Sequence, residues 1–115
     1  MSWNPKEARK LLDKSSLTTS LDEMDKLVSY KMLSGRELAL IEENKFKVSI
    51  YVEISPSELD DVMLTRTYEQ TKNKRGRHSN LEVITHKLGF NNEAHLLHVK
   101  SETGLINLLD WYQGA

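Results

Sequence analysis

Cysteine is absent, which excludes disulfides, thiolate metal centres and thiol nucleophiles and leaves the redox compartment open. Proline occurs twice and glycine five times in 115 residues, too few for a collagen-like or low-complexity chain. Long apolar runs are also missing: the longest, Leu38 to Ile41, is four residues, against about 20 for a membrane-crossing helix. The opening stretch MSWNPKEARKLLDKSSLTTS is polar and charged, where a secretory signal needs about 7–15 apolar residues, so the expectation is a cytoplasmic protein. An excess of one charge is lacking too. With 16 basic and 17 acidic side chains the net charge is −1, and any electrostatic attraction must be local.

What is present suits a globule. Hydrophobic residues make up 38% and charged residues 29% of the chain, as in ordinary soluble domains. The length predicts a single domain over 1–115, large enough to bury one core without covalent staples.

Local patterns divide that core into elements. Asn4 can cap a helix that Pro5 opens, with Ala8, Leu11 and Leu12 on one face. Ser20 and Glu23 form a capping box, and Leu21, Met24, Leu27, Val28 and Leu33 recur at three- and four-residue intervals until Gly35. That spacing predicts a second helix. Next, Phe46, Val48, Ile50, Val52 and Ile54 alternate with Lys47, Ser49, Tyr51 and Glu53, which predicts a strand with one wet face. Together with 36–41, and a turn at Glu43-Asn44-Lys45, it makes a hairpin around 36–54. Ser55-Pro56-Ser57-Glu58 reads as the start of a short acidic helix through Leu59 and Val62. Ser79 and Glu82 cap a further helix over 80–88, with a strand as the alternative because Val83, Ile84 and Thr85 are β-branched. The alternation in 94–100 favours a strand, although Leu96 and Val99 also fit a helix face. Ser101 opens a last helix in which Leu105, Leu108, Leu109 and Tyr112 form one buried stripe. The fold expected is α+β: a small antiparallel sheet packed on one face by the N-terminal and C-terminal helices.

One segment violates the charge balance. No acidic residue lies between Glu69 and Glu82, while Lys72, Lys74, Arg75 and Arg77 crowd around Gly76. Cations on a glycine-containing loop can follow phosphates, and arginine can fork onto guanine edges. Such a run can also do no more than keep a loop solvated. His78, Ser79 and Asn80 add hydrogen-bonding groups, Tyr68 offers a stacking surface, and Lys87 and Lys100 would extend a positive face if the fold brought them near.

The segment Leu88-Gly89-Phe90-Asn91-Asn92-Glu93-Ala94-His95-Leu96, continuing to Lys100 and Thr103-Gly104-Leu105, resembles the second helix-turn-helix of AraC-type transcription regulators. The resemblance covers about 30 residues and implies a recognition helix at 93–101 entering a major groove. In place of that family's first helix-turn-helix, the preceding half has a hairpin.

Catalytic and metal patterns are thin. His95 and His98, with His86 or Glu93, would make a zinc site only if 94–100 were helical, because on a strand the two rings point to opposite sides. Glu43-Asn44-Lys45 with Asp25 resembles the metal-binding acid pattern of many nucleases, but it falls on a turn that holds a cation poorly. No phosphate-cradling glycine loop, nucleophile elbow or HExxH is present. The sequence therefore predicts a non-enzymatic, cofactor-free module that binds nucleic acid, DNA more than RNA, through 72–78. A protein partner is the alternative: Glu53, Glu58, Asp60 and Asp61, with Glu42 and Glu43, could mask a basic surface as immunity-type inhibitors do. Trp3, Trp111 and Tyr112 could serve such an interface or close the core.

Overall fold

The computed structural model describes residues 3–24, 26–43, 46–69, 81–89 and 92–115. Chain order is α1 (Pro5–Lys14), β1 (Thr18–Met24), β2 (Leu27–Met32), β3 (Glu37–Ile41), β4 (Val48–Val52), β5 (Val62–Tyr68), α2 (Leu81–Ile84), β6 (Ala94–Val99) and α3 (Glu102–Gly114). The strands form one six-stranded antiparallel sheet in the order β1-β2-β3-β4-β6-β5. The result is an α+β domain, with α1 and α3 on the same face of the sheet. No helix among the described residues is long and apolar enough to cross a membrane.

The two terminal helices follow the sequence signals. The Asn4 side chain accepts the Glu7 N–H at 3.0 Å and Pro5 occupies the first turn, so two of the usual orphan donors are dealt with at once. Ala8 and Leu12 then share one buried layer with Leu105, Leu108 and Tyr112 of α3 and with Tyr30, Leu40, Ile50 and Leu97 of the sheet. Burying each large side chain here is worth about 1.5–3 kcal/mol. Trp3 joins this layer by donating from Nε1 to the Val99 carbonyl at 2.9 Å, and Trp111 stacks on Tyr112. Both tryptophans thus pack against the core.

Four expectations are corrected. The helix expected over 20–33 is the β1–β2 hairpin. Leu21 and Met24 are exposed, and Leu27 and Val28 face opposite sides of the sheet, so their helical spacing is coincidental. Gly35 ends no helix; it takes φ +99° in the turn joining β2 to β3, where glycine adopts the left-handed region at little cost. The acidic helix through Leu59 and Val62 is replaced by a Leu59–Val62 bridge that leads into β5. Finally, the helix over 80–88 shrinks to α2, four residues long.

Strand β4 has no wet face. All five of its residues are buried, because 81–89 lies across the second side of the sheet, with Leu81, Ile84 and Leu88 against Leu27, Ala39 and Tyr51. Polar bonds fix this cover. Ser29 Oγ donates to the Ile84 carbonyl at 2.7 Å, and the Glu37 carboxylate accepts the His86 and Lys87 N–H groups, both at 2.7 Å. Phe46, expected as the first inward residue of the strand, lies outside it and is 84% exposed.

Strand β6 decides between the readings of 94–100. Val52 pairs with His95 and Ser49 with His98, which places the two imidazoles on opposite faces. The paired zinc ligands and the recognition helix implied by the regulator resemblance are both excluded, since each needs a helix there.

Candidate nucleic-acid interface

Of the expected binding residues, Lys72, Lys74, Arg75, Arg77, His78, Ser79 and Asn80 lie outside the described residues, as do Asp25, Asn44 and Lys45. Their flanks are described. Tyr68 ends the edge strand β5 and is only 7% exposed, its ring 6.0 Å from that of Tyr51 with the Arg66 guanidinium 4.8 Å above it. Leu81, at the other flank, is buried in α2 against β1 and β2. Both anchors belong to the same buried cluster on the second face of the sheet.

Of the carboxylates expected to form an acidic face, Glu53, Asp61 and Glu42 are engaged in internal contacts. Glu53, its side chain 13% exposed, accepts the Glu37 N–H at 2.6 Å and pairs with Arg36 at 3.3 Å. The Asp61 carboxylate accepts from Ser101 Oγ at 2.6 Å, and the Asp61 carbonyl accepts the Lys100 N–H at 2.8 Å. Glu42 and Glu23 both meet Arg9 at 2.7 Å. Glu58 and Asp60 remain exposed on the loop before β5.

Cations instead gather at one end of the sheet. Val48 pairs with Val99, which pairs in turn with Val62. Continuing that register by one residue sets Lys47 opposite Lys100. On the second face His98 stands between Ser49 of β4 and Met63 of β5. Partial burial, then the charges of Lys47 and Lys100, hold the His98 imidazole below its usual pKa. Lys26 sits on the adjoining turn at φ +63°, its carbonyl accepting the Glu42 N–H. Phe46 is exposed immediately beside Lys47. Sequence reasoning missed this group because Phe46 fitted the inward phase of the alternation and only the strand register brings Lys47 and Lys100 together.

A groove of about 530 Å³ also runs between α1 and α3, with Leu11, Leu17 and Ile106 beside Lys10, Lys14, Glu102 and Asp110. Its mixed charge gives it no preference for a polyanion. No cluster of three or more metal-ligating side chains occurs among the described residues. No protein-family model, curated protein or solved structure matches the chain.

Proposed function

We propose that the chain is a non-catalytic nucleic-acid-binding module, favouring DNA over RNA, in which Lys72, Lys74, Arg75 and Arg77 contact phosphates or base edges. His78, Ser79 and Asn80 supply accompanying hydrogen bonds. The observation that carries this reading is the run of four cations with no acid between Glu69 and Glu82. Two features of the fold support it. The flanks Tyr68 and Leu81 are buried, which gives the segment fixed points of attachment. Glu37, Glu42 and Glu53 are engaged with other partners and so less available to neutralise it.

The alternative, an inhibitor meeting a basic protein through Glu53, Glu58, Asp60 and Asp61, has less support, because Glu53 and Asp61 serve internal bonds. Fluorescence anisotropy with labelled DNA and RNA, using the wild type and a Lys74→Ala/Arg75→Ala/Arg77→Ala variant, separates the two. Wild-type binding that disappears in the triple variant supports the proposal. Binding that survives the substitutions contradicts the segment's assignment, and a wild type that binds no nucleic acid favours the basic protein partner.

A further inference from the structure

We propose that the groove between α1 and α3 is the interface for a second copy of this chain, the two protomers meeting with α1 of each laid against α3 of the other. The inference goes beyond the nucleic-acid-binding reading and does not depend on it, since Tyr68 and Leu81, which flank the cationic segment, belong to the cluster on the other face of the sheet.

The groove lies along both helices. Its lining falls at 7, 10, 11 and 14 of α1 and at 102, 106, 109 and 110 of α3, one stripe of about two turns on each helix. The floor is apolar: Leu109 is buried, Leu11 and Leu17 are half-buried, and Ile106 keeps 46% of its surface in water. The walls differ in charge. Lys10 and Lys14 stand on α1, Glu102 and Asp110 on α3. Lys10 reaches Glu7 of its own helix at 3.4 Å, while Lys14, Glu102 and Asp110 form no ion pair among the described residues. Lys14 and Glu102 suit the dipoles of their own helices, but that leaves Asp110 without a partner and the floor wet.

Charge complementarity selects a second copy and its orientation. A twofold interface brings the same patch of both subunits together, so the patch must complement itself. With the axis lying along the groove, α1 of each protomer faces α3 of the other, and Lys10 and Lys14 meet the partner's Glu102 and the partner's Asp110. An axis across the groove sets α1 on α1 and α3 on α3, and like charges then repel. In the favoured arrangement each Ile106 enters the other protomer's groove beside Leu11. A face of two short helices is small, so the dimer belongs with the weak, transient interfaces.

The test is sedimentation equilibrium of the full chain, comparing the wild type with Lys10→Glu/Lys14→Glu, Glu102→Lys/Asp110→Lys and Ile106→Gln. All five positions are at the surface, and circular dichroism verifies each fold. We expect the wild type to dimerise with a Kd in roughly the micromolar range. Each charge reversal should weaken the dimer about tenfold or more, because the twofold axis counts every change twice and sets like charges together. Mixing the two reversed variants should restore a dimer containing one of each, since each altered wall then meets its opposite. Ile106→Gln, which leaves the charges in place, should also weaken the wild-type dimer. A wild type that stays monomeric up to about 1 mM overturns the inference and leaves the groove to a different occupant, such as an amphipathic helix of another protein. A dimer that all three variants leave intact forms elsewhere, at the edge strands β1 or β5, and overturns it too. Loss of the dimer in both reversals with no recovery on mixing contradicts the proposed pairing of α1 with α3.

Discussion

The Tyr112 hydroxyl of α3 donates to the Glu37 carbonyl of β3 at 2.6 Å and accepts the Glu53 N–H at 2.8 Å. One buried oxygen thus joins the last helix to backbone groups on either side of the β3–β4 hairpin. Burial is the main reason its pKa lies above the ordinary tyrosine value, so it stays protonated and keeps its donor. Tyr112→Phe leaves both backbone groups without this partner and should cost about 1–3 kcal/mol. Urea denaturation measures the loss; a midpoint equal to the wild type's would contradict the assignment.

Glu37 has the opposite task on the second face. Its side chain is almost fully buried, at 1% exposure, and its Oε1 accepts two consecutive N–H groups beyond α2. Glu37→Ala should destabilise the domain by about 3 kcal/mol, since bonds to a charged acceptor are the stronger kind. The loss should concentrate in 81–89: hydrogen exchange at the His86 and Lys87 amides should accelerate more than in the β3–β4 ladder. Glu37→Gln, which retains an acceptor, should recover part of the protection. Uniform acceleration across the sheet would show that Glu37 does not specifically hold this cover.

Gly104 reverses a general preference. Alanine normally stabilises a helix interior relative to glycine by about 1 kcal/mol, but a Cβ at 104 would stand 2.9 Å from the Asp61 carbonyl oxygen. That backbone is held, because the same oxygen accepts the Lys100 N–H and the Asp61 carboxylate accepts from Ser101. Gly104→Ala should therefore destabilise by about 1–3 kcal/mol, the usual penalty for overpacking. A higher melting temperature would show that helix propensity outweighs the close approach.

His98 titration has a defined sign. Burial first, then Lys47 and Lys100, lower its folded pKa, so the unfolded chain takes up a proton first as pH falls through about 6.5. The neutral-imidazole contribution to stability is present above that pH and is lost as pH drops toward the folded value. NMR should show a midpoint below the ordinary imidazole range. Lys47→Ala/Lys100→Ala should raise it only part of the way, because burial is the larger cause. A midpoint at or above the ordinary value would remove the electrostatic cluster.

Elements whose pattern coincided with their burial were legible in the sequence. Asn4 and Ser101 cap helices as their chemistry dictates, and the 36–54 hairpin follows from its alternation. Capping boxes misled where tertiary pairing won. Ser20 and Glu23 fall in an edge strand whose side chains are almost all exposed, so no inward face betrays its period. Strand β5, also an edge, was hidden for the same reason and is bulged between Leu64 and Arg66. The wet face expected of β4 depended on what 81–89 would cover, a non-local fact. Of the candidate sites, the cationic segment is a property of neighbouring residues and can be read directly. Phe46 with Lys47 and Lys100 exists only through the pairing of strands about 50 residues apart.

The most direct test of the central claim is the slope of log affinity against log salt concentration for a DNA duplex. If the 72–77 cations neutralise phosphates, the wild type should show a steep slope, and Lys74→Ala/Arg75→Ala/Arg77→Ala should flatten it by about 2.7, at roughly 0.9 per contact. A slope identical in the two proteins would contradict the account.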